Sequence, residues 1–371
     1  MPELEIVPAE EAAQIDNIVR LTLAQMEQRY PGGAGARRGQ HAKAHACVEA
    51  TFTIREDLPS AMRVGLFATP GRQYQAWVRY SNAAAKAASD SPLVGGMATH
   101  GSRGMAIKIT GVSGTPLIPG AEAATQDFLL VNHPAFPFAN VEDYNALSEV
   151  LGKTIDSPNA FFARRKGTNE ARDLEDPVSR RAWRTFDMVR RIQSLSIDAD
   201  PAALQAPPAS PVDTTYFGGA PFLFGDQRVM RIAARPVAPS PAAPSDLADE
   251  HYLRAALRER LTGKDAREVV FAFEIQVRTA ADLARTIATD IEDASAEWSP
   301  ETHRFQQVAT ITIAPQEFEA AEREARCESL FFTPWHGVAE HRPLGGINRL
   351  RRAVYEASVK FRQPRRSVTD V

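Results

Sequence analysis

The hydrophobic positions change period several times along the chain, and each change marks an element. AEEAAQIDNIVRLTLAQMEQRY near the N-terminus has apolar residues at helical spacing. It stops at Pro31 and the glycine-rich GGAGARRG, which predicts one helix. CVEATFTI then alternates and reads as a strand. MRVGLF and YQAWVRYS read as strands flanking a turn at TPGR, and RGMAIKITGV and TQDFLLVNH add two more. Residues 141 to 196 read as mainly helical, with breaks near Pro158 and Pro177. A second set of strands follows in QRVMRIAARPV, REVVFAFEIQVRT and QVATITI, with the proline-rich PVAPSPAAPSD as a loop between the first two. Strands that return after a helical region, without regular βαβ alternation, predict an α+β fold: an antiparallel sheet or barrel with appended helices.

Composition narrows the class without choosing a function. Hydrophobic residues make up 44% and charged residues 24% of the 371, which suits a globular protein. Lys and Arg number 43 against 46 Asp and Glu, a net charge of -3, so neither nucleic acid nor an acidic membrane is the expected partner. Cys47 and Cys327 are too few for a disulfide framework, and without a CxxC pair they do not predict a structural zinc site. The acidic N-terminus lacks the basic start and apolar run of a signal peptide, and no run of 18 apolar residues is present. A cytoplasmic protein with no stable membrane insertion is the expectation.

The last helical segment, RLRRAVYEASVKFR, carries the first chemical signal. At about 100° per residue, Leu350, Val354, Ala357 and Phe361 form one apolar stripe, and Arg351, Tyr355, Ser358 and Arg362 line up beside it. Arg351 lies one turn before Tyr355, at the spacing where helical side chains meet. A neighbouring cation lowers a phenol's pKa by favouring its charged form. A phenolate is one of the few protein axial ligands for haem iron, and haem carries propionates that need cationic partners such as Arg362. Taken alone, the pattern fits either a haem-ligand helix or a surface helix with a snorkelling tyrosine and solvated arginines.

Segments near the other end of the chain separate these readings. RRGQHAKAHACVEATF places Arg38, His41 and Lys43 just before a strand, VRYSN supplies Arg79 and Ser81, RGMAIKI supplies Arg103 and Lys108, and LLVNHPAF supplies Asn132. With Arg351-x-x-x-Tyr355 and Arg362, these segments resemble, in order, the haem catalase family and its shorter catalase-related members. The resemblance covers residues 36 to 138 and 330 to 362, and more loosely 210 to 315. It implies a catalase-like antiparallel β-barrel core with appended helices, and haem b buried between the barrel and a C-terminal helix. It further implies a helical arm over residues 1–35 and one haem-binding domain over residues 36–371.

The same resemblance implies the site. Tyr355 is the axial ligand of the haem iron and Arg351 tunes it. Arg38, Arg79 and Arg362 bind the propionates. His41 is the distal base, Asn132 donates a hydrogen bond to peroxide, and Ser81 orients His41. His45, four residues later, competes with His41 and would share its face in a strand. The implied activity is a peroxidase that reduces hydrogen peroxide and organic hydroperoxides through a ferryl state, drawing on a small organic electron donor. Weak catalase activity accompanies it, in a homo-oligomer (dimer or tetramer). A fatty-acid hydroperoxide isomerase or lyase of the allene-oxide-synthase type, or a non-enzymatic haem-binding protein, uses the same haem ligands. Two departures from the family bear on the reaction. Gln40 stands where catalases carry an apolar residue, and Asn132 lies two rather than three residues before its proline. The chain is also shorter than the large catalases in its arm and wrapping segments, which predicts a shorter path that admits bulkier hydroperoxides.

Overall fold

The computed structural model describes residues 4–83, 89–91, 102–118, 125–153, 208–226, 228–239, 246–283 and 286–362. Alternation of apolar side chains builds its centre. Strands β1 (Ala44–Ile54), β2 (Gln73–Asn82), β3 (Arg103–Thr110) and β4 (Thr125–Val131) form an antiparallel run. β5 (Tyr216–Gly218), β7 (Arg228–Pro236), β8 (Val269–Thr279) and β9 (Gln306–Ile313) complete it. β9 pairs with β1, so the ring closes into an eight-strand antiparallel barrel. The two-residue β6 (Phe222–Leu223) adds to β7 outside the ring.

Period-2 positions fill the interior: Val48, Phe52 and Ile54 from β1, Val78 and Tyr80 from β2, Ile107 and Ile109 from β3, and Phe271, Phe273 and Ile275 from β8. Phe273 sits at the middle, its ring 5.1 Å from that of Phe52 and 5.0 Å from that of Phe128. Apolar burial of this kind is worth roughly 1.5–3 kcal/mol per large side chain, and closure removes the edges that would invite pairing with other chains.

The strand expectations hold with small shifts of boundary, and MRVGLF departs from them. Residues 60–62 and 65–67 are 3-10 turns, because Gly65 adopts φ +51 and the Leu66 N–H donates to His341 Nε2 rather than to a strand. Of the helical stretch expected over residues 141 to 196, α2 (Val141–Lys153) is observed and the remainder lies outside the described residues. α3 (Tyr252–Thr262), the one-turn helices α4 (Ala280–Leu283) and α5 (Ile287–Asp290), and α6 (Ala321–Ser329) were not apparent from periodicity.

α1 (Glu11–Arg29) and α7 (Gly346–Arg362) carry the helical layer that matters for the site. The apolar stripe of α7 docks as expected: Leu350 packs with Ile18 of α1 and Val141 of α2, and Val354 adds to the cluster. This docking sets the Arg351–Tyr355–Ser358–Arg362 row beside the apolar seam, with Ser358 against the segment that precedes β1. A buried polar knot steers the turn before α7. Lys108 Nζ lies 2.9 Å from both carboxylate oxygens of Asp127, and His336 Nδ1 lies 3.0 Å from Oδ2. His341, anchored by backbone groups, and Arg342, paired with Glu5, also brace this turn. Among the described residues no helix is long and apolar enough to cross a membrane.

Candidate functional site

Alternation along β2 decides which side of the barrel carries chemistry. Val78 and Tyr80 point inward, so Arg79 and Ser81 point outward, where covering segments still bury both. Cys47 of β1 stands opposite Arg79 in the register and shares that outer face.

His41 does not lie in β1. It precedes the strand in a left-handed conformation (φ 57), so it does not share a strand face with His45 as the spacing suggested. Such a backbone costs a non-glycine residue about 1–2 kcal/mol and persists only when its surroundings impose it. Here the His41 N–H donates to Ala83 O at 3.2 Å, and the His41 carbonyl accepts from Arg79 Nη2 at 2.9 Å. The ring lies on the backbone of β3. A Cβ at Gly104 would stand 2.5 Å from His41 Cε1, so only glycine leaves room for the imidazole. Ser81 Oγ is 2.9 Å from His41 Nδ1, which leaves Nε2 for a guest. Burial, then the cations Arg79, Arg351 and Arg38, hold His41 down to about 3. It is therefore a neutral proton acceptor near pH 7.

His45 is committed elsewhere. Its Nε2 lies 2.9 Å from Asn82 Oδ1 within a buried cluster with Asp90, and Lys43 Nζ pairs with Asp90 at 2.8 Å. Arg103 joins the same cluster through Asn82 and the Asp90 carbonyl. The motif residues Lys43 and Arg103 thus brace the wall behind His41. Gln40 is exposed, and among the described residues no hydrogen bond joins it to His41, whose Nδ1 belongs to Ser81.

Asn132 follows β4. Its side-chain oxygen accepts from the Arg103 N–H at 2.8 Å, which fixes the amide orientation and leaves the NH2 group as donor. The neighbouring His133 contacts Ser102 and Ala135 and is structural.

On α7, Arg351 is buried, reaches Asn348 Oδ1 at 3.4 Å and stacks over Phe136 at 5.5 Å. Tyr355 is half-buried. Tyr144 of α2 lies close enough that burial, then Tyr355, pushes its phenol up to about 12, with Arg351 opposing. Ser358 accepts from the Gly39 N–H at 3.4 Å, tying the segment that carries His41 to the helix that carries Tyr355.

The three arginines expected at propionates converge on Glu328, a residue that periodicity did not reveal: two on its carboxylate and one on its main-chain carbonyl. Arg38 Nη1 is 2.9 Å from Glu328 Oε2, Arg79 Nη2 is 3.7 Å from Glu328 Oε1, and Arg362 Nη1 donates to the Glu328 carbonyl at 3.0 Å. Arg38 also donates to the carbonyls of Cys327 and Leu330. Burial and the nearby Arg79 lower the Arg38 guanidinium to about 9, still a cation near pH 7. Cys47 and Cys327 are both buried free thiols, and the Cys327 carbonyl accepts from Arg38. Glu328 lies in the last turn of α6, where the helix dipole disfavours an anion. That local conflict was the one signal in the sequence for its role.

A closed antiparallel barrel with helices packed on its outer face, arranged this way, is the catalase fold. The chain superposes on a fungal catalase with a TM-score of 0.64 at 15% identity, covering 93% of this chain and 62% of that one. A bacterial catalase gives 0.61 at 14% identity over 94% and 60%, and catalase A from Saccharomyces cerevisiae gives 0.63 at 15% over 92% and 63%. The chain thus spans about three fifths of the length of each. No family model and no curated protein matches it by sequence.

Whether this chain's residues fit haem is a question about its donors. The arginine cluster already holds one carboxylate, so it suits another, and Arg79 Nε is a buried donor with no partner among the described residues. A half-buried phenol stands on the adjacent helix face. The set fits a dicarboxylate porphyrin ligated by tyrosine.

Proposed function

We propose that the protein is a haem-dependent oxidoreductase that consumes hydrogen peroxide and organic hydroperoxides as a peroxidase, with weak catalase activity. Tyr355 would ligate the iron, Arg351 would tune its phenolate, and Arg38, Arg79 and Arg362 would hold the propionates. When bound, haem supplies a redox-active iron at which a peroxide O–O bond is cleaved. The remaining work falls to the chain. Neutral His41 takes the hydroperoxide proton at Nε2 and returns it to the departing oxygen, which leaves as water or alcohol. Ser81 fixes the ring through Nδ1, and the Asn132 NH2 group donates to the peroxide.

The observation that carries this reading is the set of restraints on His41. A left-handed backbone, a glycine floor, Ser81 on one nitrogen and three cations around the ring keep a neutral base in one pose. A haem-binding protein without catalysis has no need of that arrangement. The polar, exposed Gln40 beside His41, where catalases carry an apolar residue, favours a site open to an external donor over one dedicated to disproportionation.

The test combines a spectrum with two rates. Purified protein reconstituted with haem should give a Soret band with ferric tyrosinate features that changes on adding peroxide. Dye oxidation driven by an alkyl hydroperoxide should exceed oxygen evolution from hydrogen peroxide. Fast oxygen evolution with no donor oxidation would return the protein to catalase activity proper, and absence of haem uptake would remove the reading altogether.

A further inference from the structure

Glu328 has no part in the chemistry above, yet it occupies the centre of the arginine cluster. Burial alone raises its carboxyl, but Arg38, Arg79, Arg362 and Arg37 outweigh burial and hold it below the usual value, so it is an anion. Its contacts are of the kind a carboxylate guest would make: 2.9 Å to Arg38 Nη1 and 3.7 Å to Arg79 Nη2. The carboxylate is also movable. Its side chain is 42% exposed, while those of Arg38 and Arg79 are 13% and 3% exposed. The cations are fixed in the wall and the anion stands at its mouth.

We infer that Glu328 is an internal stand-in for the porphyrin carboxylate, which holds the arginine cradle together before haem enters and competes with the propionate afterwards. This rests on the haem-binding reading of the site. Without a counter-ion, Arg38, Arg79 and Arg362 repel one another within a wall of low polarizability, and the cradle would open or the chain would lose stability. With Glu328 present they stay clustered, at the cost of a rival for the incoming anion. Glu328 thereby sets how tightly haem is held, without touching the iron or the peroxide. Its place at the end of α6, against the helix dipole, fits a residue kept for the cradle and not for the helix.

The experiment uses the full chain and the variant Glu328→Gln, which keeps shape and removes charge. Two readouts separate competition from simple support. The melting temperature of the haem-free variant should fall below that of the wild type, because the arginines lose their anion. Haem release to an excess of a high-affinity haem acceptor should become slower by at least about threefold, because the propionate loses its rival. The same comparison with iron protoporphyrin dimethyl ester, which has no free carboxylates, should show no difference in release between variant and wild type. Failure of the wild type to take up haem would sink the parent reading. Uptake followed by equal or faster release from the variant would leave that reading standing and overturn this one, as would a slowing that persists with the ester. A variant that does not fold is replaced by Glu328→Asp. There the shortened carboxylate should melt closer to the wild type and still release haem more slowly, and release as fast as the wild type would count against competition.

Discussion

At the scale of single residues, His41 and His45 show how two similar side chains acquire different work. His41 is held neutral in a strained turn with one nitrogen uncommitted, whereas His45 is consumed by Asn82 and Asp90. Reconstituted His41→Ala should keep haem but react with peroxide more slowly by roughly 10² to 10⁴ in stopped-flow mixing, the usual worth of a positioned acid–base group. His45→Ala should leave that rate within a few-fold, and the reverse order would mean the wrong histidine has been chosen. Because His41 is lowered to about 3, the rate should stay flat through the ordinary imidazole range and fall only at more acid pH. Much of this was legible through the family resemblance: Arg38, His41, Arg79 and Ser81, which it grouped, do meet. The left-handed turn was not, because nothing local to Gln40-His41-Ala42 demands it; the demand comes from Arg79, Ala83 and Gly104, which are far away in sequence.

At the scale of elements, α7 was the most readable piece. Its apolar stripe packs on α1 and α2, and the row beside it reaches Gly39 through Ser358 and Glu328 through Arg362. The long alternating strands were equally plain, since a buried face imposes period 2. The short β5 and β6 carry too few residues for a period, and the one-turn helices fail for the same reason. α6 is strongly charged, and its one buried residue is Cys327. It is held by ion pairs from elsewhere, including Arg254 of α3 on Glu324, and such pairs leave no apolar stripe to find. The element-level prediction concerns α7. Tyr355→Phe should lose most haem or its high-spin ferric spectrum on reconstitution, while the helix still docks, since Leu350 and Val354 carry the packing. Arg351→Ala should retain haem better but shift the spectrum. An unchanged spectrum in Tyr355→Phe would place the ligand on another residue.

At the scale of the whole molecule, the barrel rests on histidines kept neutral by burial, and this links its stability to pH. His45 is lowered to about 3, and His133 and His341 to about 4, by burial first in each case. In the unfolded chain these groups titrate near 6.5. Between about 4 and 6.5 the unfolded state therefore binds more protons than the folded state, so stability is full above that window and falls as pH drops through it. Each group adds a slope of up to about 1.4 kcal/mol per pH unit within the window. His341 shows the cause most directly. Its Nε2 accepts from the Leu66 N–H at 3.1 Å, its ring packs 5.3 Å from that of Phe67, and protonating that nitrogen would break the bond inside the core. Carboxylates elsewhere also titrate on the acid side, so the informative quantity is a difference. Denaturant unfolding of wild type and His341→Gln at pH 7.5, 6 and 5 should show the variant less stable at pH 7.5. Its stability should also decline less steeply toward pH 5, by as much as one proton's worth of slope. Parallel declines in the two proteins would mean that His341 is not protonated on unfolding in this range, and that the acid sensitivity of the barrel comes from its ion pairs instead.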